Sequence, residues 1–201
     1  MTVAVDGRVL RRERNRELVI DAMLDLLVEG VARPTAQDVA DRSGVSLRSI
    51  FRIFEDVDTL HAEAAVRQHE RTKHLFVEVP PTGPLPDRIH AVVAVHSRIY
   101  EHIAPVRRVA VRMAATSQPL ADYLERSRRW FRDEVARVFA AEAAEAAEAD
   151  EARDTDAAEL LAAVERALSW EAWNQLRSAQ DLSAARARRA VHRTVTALLR
   201  C

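Results

Sequence analysis

The sequence predicts an all-α protein: an N-terminal three-helix helix-turn-helix domain over residues 1–56, and a C-terminal helical-bundle domain over residues 57–201. Three observations predict it. Apolar residues recur at helical spacing along most of the chain, while strand-like alternation is scarce. The composition is Ala-rich, with only four Gly and 5% aromatic residues, which favours helices over sheets. Four of the seven Pro fall in residues 77–86, a break that sets the N-terminal helices apart from the later ones.

Residues 1–9 read as a flexible arm. Arg8, Arg11, Arg12, Arg14 and Arg16 follow closely, opposed only by Glu13. Cations at a helix start oppose the macrodipole, a local cost that an anion seated there would relieve; the alternative is a solvated helix start. The first helix is expected over residues 12–29, striped by Val19, Ala22, Met23, Leu26 and Leu27 and stopped by Gly30.

Residues 34–60 carry the most informative pattern. Thr35 and Asp38 make a capping-box-like pair at the start of a short helix. Val39 and Ala40 turn inward, Gly44 ends the helix, and Val45 plugs the turn. Ser46 caps a second helix over residues 47–54, whose inward residues are Ile50 and Phe54. Ser46, Leu47, Arg48, Ser49, Phe51 and Arg52 are left for a partner. Arg reads guanine edges in a major groove, and Ser and helix-start N–H groups hold phosphates, so Thr35 is assigned a phosphate and Arg48 a base. Arg11 and Arg12 are assigned to the same DNA surface.

A fourth helix is expected over residues 57–76, capped by Asp56 or Asp58, with Leu60, Ala64 and Val66 inward and His61, Gln68, His69 and His74 solvated. The histidine spacing is not that of a metal-binding helix, and no metal or cofactor is expected. Beyond the Pro-rich loop, helices are expected over residues 86–103, 105–115, 119–147, 155–179 and 183–199. Residues 140–158 are almost only Ala, Glu and Asp and read as a solvated face or linker, with a mobile loop near 150–156.

A net charge of −1 confines any nucleic-acid surface to a local patch. The single cysteine, Cys201, rules out a disulfide or a Cys-based metal site within one chain. With no apolar run of membrane-spanning length and no apolar leader, a cytoplasmic protein is expected. No phosphate-binding Gly-rich loop or hydrolase motif occurs, which argues against an enzyme.

Residues 16–60 resemble the N-terminal domain of the TetR (tetracycline-repressor-like) family of transcription regulators. The resemblance rests on Glu29-Gly30, Thr35, Asp38-Val39-Ala40, Ser43-Gly44-Val45-Ser46, Ile50-Phe51, Phe54 and Leu60. Phe51 replaces the family's usual Tyr, and Val57-Asp58 its usual Lys-Glu, which removes two phosphate contacts. The resemblance implies a homodimeric, ligand-responsive repressor on a palindromic double-stranded operator. It implies a small-molecule effector inside the C-terminal bundle, with His96, Tyr100, Met113, Tyr123, Trp130, Phe131, Trp170 and Asn174 as candidates. It further implies a dimer interface from the last two helices, with Leu161, Val164, Leu168, Val191, Val195 and Leu198 as candidates. The competing reading is a helical protein-interaction module whose helix-turn-helix is only structural.

Overall fold

A computed structural model describes residues 7–149 and 157–200. The chain divides into two compact units, one of the chain up to Arg71 with Pro105–Glu125, the other of Thr72–Ala104 with the chain from Arg126 on. All regular structure among the described residues is helical.

The first unit holds α1 (Gly7–Val28), α2 (Ala36–Ser43), α3 (Leu47–Ile53) and α4 (Val57–Thr72), with the end of α5 (Leu85–Met113) and the start of α6 (Gln118–Val138). Val19, Met23 and Leu24 of α1 pack with Val39, Ile50, Phe54, Leu60 and Ala64 in one continuous core. The helix α1 begins at Gly7, so Arg8, Arg11 and Arg12 lie on a helix and not on an arm; residues 1–6 of the expected arm lie outside the described residues.

Asp56 caps α4, its carboxylate accepting the Thr59 N–H at 2.6 Å, which holds its pKa below the usual value. The inner face of α4 differs from expectation. Leu60, His61, Ala64, Ala65, Gln68 and Thr72 are buried, whereas Val66 is exposed. These positions lie one and four residues apart, a single helical face that carries His61 and Gln68 inward with the apolar residues. On the flank, Arg16 pairs with Glu63, Arg67 reaches Glu17 at 3.4 Å, and Arg71 reaches Asp21 at 2.8 Å. This ladder fixes the rotation of α4 on α1.

His61 donates from Nδ1 to the Val57 carbonyl at 2.8 Å, while its buried Nε2 has no partner. Protonating Nε2 would bury an unsatisfied charge, so burial lowers the pKa from the ordinary 6.5. A group whose folded pKa is lowered contributes stability above its unfolded pKa and loses it as pH falls through the folded value. Thermal stability is therefore expected to fall as the pH drops below the ordinary 6.5 toward the lowered folded value, and His61→Asn to flatten that dependence. An equally steep profile in the variant would assign the effect elsewhere.

The second unit contains the first part of α5, the rest of α6, α7 (Ala140–Ala149), α8 (Ala157–Leu168), α9 (Trp170–Asn174), which runs on through a π turn, and α10 (Ala184–Leu198). Three expected boundaries are corrected. The helix α5 runs unbroken through Pro105, because a proline deletes one backbone hydrogen bond while buried Ile103, Ala104, Val106 and Val109 hold the helix on both sides. The expected single helix over 119–147 is divided between α6 and α7, and the expected helix over 155–179 is divided at Ser169, whose Oγ accepts the Ala172 N–H at 3.2 Å to start α9. Tyr100 donates its hydroxyl to the Leu168 carbonyl at 2.9 Å and so satisfies the end of α8.

The acidic stretch is not merely solvated. Buried Arg88 donates to the Val138 carbonyl at 2.7 Å, closing the end of α6, and makes a two-pronged ion pair with Glu142 of α7. The expected mobile loop near 150–156, like Cys201, lies outside the described residues.

Candidate nucleic-acid interface

Each cap of the helix-turn-helix is a local bond between residues three or four apart. The Thr35 N–H and hydroxyl both donate to the Asp38 carboxylate at 2.7 Å, and the Asp38 N–H returns a bond to Thr35 Oγ1 at 3.1 Å. The backbone N–H of Thr35 is the first cause of the lowered pKa of Asp38. The hydroxyl of Thr35 is thus engaged in the cap, and any anion at this end must use the first free amides of α2.

At the other end of α2, Gly44 sits at φ 70° and donates to the Ala40 carbonyl at 3.0 Å. A Cβ there meets nothing within 4 Å, so the demand is conformational alone. Gly44→Ala is expected to cost about 1–2 kcal/mol of stability, the strain of a left-handed L-residue. Chemical denaturation checks it; no change would mean that the turn relaxes. Arg42 then clamps the end of α2 to Glu29, in the turn that follows α1, through two bonds of 2.9 and 2.7 Å.

These anchors fix α3. Ile50, Ile53 and Phe54 are buried, and the Arg16 guanidinium lies 5.3 Å from the Phe54 ring centroid. Arg16, counted with the basic run in the sequence, therefore braces the core. The opposite face of α3 shows Leu47, Arg48, Phe51 and Arg52 to solvent, with Ser49 half-buried and Phe51 53% exposed. Ser46 caps α3 and donates its hydroxyl to Ser49 Oγ at 3.0 Å, which leaves the Ser49 hydroxyl proton to point elsewhere.

Arg52 is not isolated from the start of α1. With Ile53 it lines a cleft of about 750 Å³ together with Gly7, Arg8, Arg11, Arg12 and Asn15. No acid lines it. Elsewhere in this unit Arg16, Arg42, Arg67 and Arg71 are each paired with a carboxylate, whereas Arg11, Arg12, Arg48 and Arg52 form no ion pair with a described residue. Arg11, Arg12 and Arg52, without an ion pair among the described residues, thus gather in one cleft, while Arg48 and Phe51 stand exposed on the same short helix as Arg52. Arg8 and Asn15 are additions to the predicted set. Their signal is the spacing 8, 11, 12, 15, a helical stripe visible only once α1 is extended back to Gly7.

The candidate effector residues do not form one group. His96, Tyr100, Trp130, Phe131 and Trp170 gather in an aromatic cluster of the second unit, with ring centroids 4.7 Å apart for His96 and Phe131 and 4.9 Å for Tyr100 and Phe131. His96 Nε2 lies 3.1 Å from Glu134, whose other oxygen accepts the Val79 N–H at 3.0 Å; His96 Nδ1 is buried without a partner. Asn174 is half-buried on α9, its carbonyl accepting from Ser178. Met113 and Tyr123 instead pack against the core of the first unit.

Of the residues assigned to a dimer interface, Val164, Leu168, Val191 and Val195 are buried inside this chain's own core, and Leu161 and Leu198 lie half-buried beside it. The solvent-facing side of α10 is mainly basic, whereas that of α8 carries Ala158 and Ala162 beside Glu159 and Arg166. No group of three or more potential metal ligands occurs among the described residues, and no helix there is long and apolar enough to cross a membrane.

No family model and no curated protein sequence matches the chain. Solved structures do. A TetR-family transcriptional regulator from Streptomyces coelicolor superposes with a TM-score of 0.64 at 17% identity, over 94% of this chain and 87% of that one. The chain has the TetR-family fold. A protein described as a TetR-family regulator from Rhodococcus sp. gives 0.60 at 16% identity, over 92% of this chain and 99% of that one. A third, from Mesorhizobium loti, gives 0.53 at 17%, over 94% and 97%. The helix-turn-helix read from residues 34–60 is therefore set in a TetR-family fold that spans nearly the whole chain.

Proposed function

We propose that this protein is a sequence-specific DNA-binding transcription regulator, acting as a homodimer on a palindromic operator and relieved by a small-molecule effector, with no catalytic activity. The carrying observation is the face of α3: Arg48 and Arg52, without an ion pair among the described residues, stand beside exposed Phe51, and Arg52 also lines the basic cleft at the start of α1. Arg48 takes the base edge, Ser49 and the amides at the start of α2 take phosphates, and Arg11 and Arg12 reach the flanking backbone. One short helix reads too few base pairs to be selective, and a two-fold pair of heads about one helical turn apart supplies the rest.

Phosphate contacts release counterions, so duplex affinity must fall steeply with salt. Arg11→Ala and Arg12→Ala are each expected to weaken binding to all sequences and to reduce the slope of log K against log salt by about one. An unchanged slope would remove the α1 cleft from the interface. A wild-type protein with no salt-dependent duplex binding would favour the interaction-module reading.

The effector reading rests on the aromatic cluster around His96 and its unpartnered Nδ1, which a ligand donor or acceptor would satisfy. Effector and operator must then oppose each other reciprocally.

A further inference from the structure

A second cationic cleft lies in the other unit, between α5 and α10, away from the residues assigned above. It encloses about 550 Å³, the size of a small-molecule site. Its floor is apolar: Val93 and Ala94 of α5 and Ala185 of α10. Its wall is the α10 face that carries Arg188, Arg189 and Arg193. His90 and His192 close one side, their ring centroids 6.3 Å apart.

Among the described residues the charge here is uncompensated. The helix α10 contains no acidic residue, and the three arginines form no ion pair with a described residue. Other arginines of this unit, Arg88, Arg132 and Arg177, are each matched by a glutamate. Arg189 and Arg193 are one turn apart, a like-charge spacing that destabilises a helix, and the cations of the first turns also oppose its macrodipole. Such an arrangement is relieved by an anion.

The geometry points to a binding site for a small amphipathic anion, a phosphate or carboxylate on an apolar body of several carbons. The arginines hold the charged group through paired N–H donors, and the Val93, Ala94 and Ala185 floor covers the apolar part. The site does not depend on DNA binding by the first unit.

Octyl phosphate is the probe, titrated into the full-length protein by calorimetry, with octyl glucoside as the uncharged control of equal chain length. The expected result is one octyl phosphate per chain and no saturable binding of the glucoside. Arg188→Gln/Arg193→Gln should weaken octyl phosphate at least about ten-fold. Ala185→Trp, which fills the floor and keeps the charge, should weaken it comparably; should one variant unfold, the other decides. Absence of saturable binding, equal binding of the glucoside, or unchanged affinity in the folded variants would overturn the site. So would conversion of a wild-type dimer to a monomer by the arginine variant, which would make the cleft an interface between copies. Selection of an operator from random duplexes is read on wild-type protein without the anion, so either result can fail without the other.

Discussion

Arg48→Ala is expected to lower affinity for the protein's own operator by about 1–3 kcal/mol, roughly five- to 150-fold, while leaving the fold intact. Arg48 is exposed on α3, makes no ion pair with a described residue and supports no part of the core, so truncating it should disturb the proposed DNA contact and nothing else. The diagnostic is where the loss falls. A bidentate bond to a guanine is lost only at that base pair, so the variant should tolerate substitutions there that the wild type rejects. Equal weakening on operator and on random duplex would make Arg48 a phosphate contact and move base reading to Ser49, Phe51 or Arg52.

Phe54→Ala should behave in the opposite way. Its ring is 2% exposed, terminates α3, and lies in the core shared by α1, α3 and α4 beneath the Arg16 guanidinium. Deleting it leaves a cavity that cannot collapse without moving α3, at a cost of about 3–5 kcal/mol. Against a typical domain stability of about 5–15 kcal/mol, that is enough to depopulate the reading head. DNA affinity should fall together with the unfolding midpoint, on specific and random sequences alike. A variant with full stability would mean that the head is held by the caps and not by this ring.

The contrast between these two residues separates what the sequence discloses from what it withholds. The caps at Thr35, Gly44 and Ser46 are legible because each bond joins residues three or four apart. The outward face of α3 is legible by subtraction, once Ile50 and Phe54 are committed to the core. The inner face of α4 is not, because its rotation is set by Glu63, Arg67 and Arg71 meeting residues of α1 some 47 to 50 positions away. The same holds for Arg88 with Glu142, 54 positions apart, and His96 with Glu134, 38 apart: nothing local marks either partner. The stripes of Val164, Leu168, Val191 and Val195 show a further limit. Helical spacing reports that a face is covered, not whether its own chain or a second copy covers it, and here the chain's own core does.

The central claim is that α3 reads a sequence. The most direct test is selection of the purified protein against a library of random duplexes at moderate salt, followed by sequencing of the bound fraction. The expected result is an enriched palindrome whose half-site centres lie about one helical turn apart, with the enrichment lost for Arg48→Ala at one base pair of each half-site. A soluble, folded protein, freed of any co-purified small molecule, that enriches no sequence would contradict it.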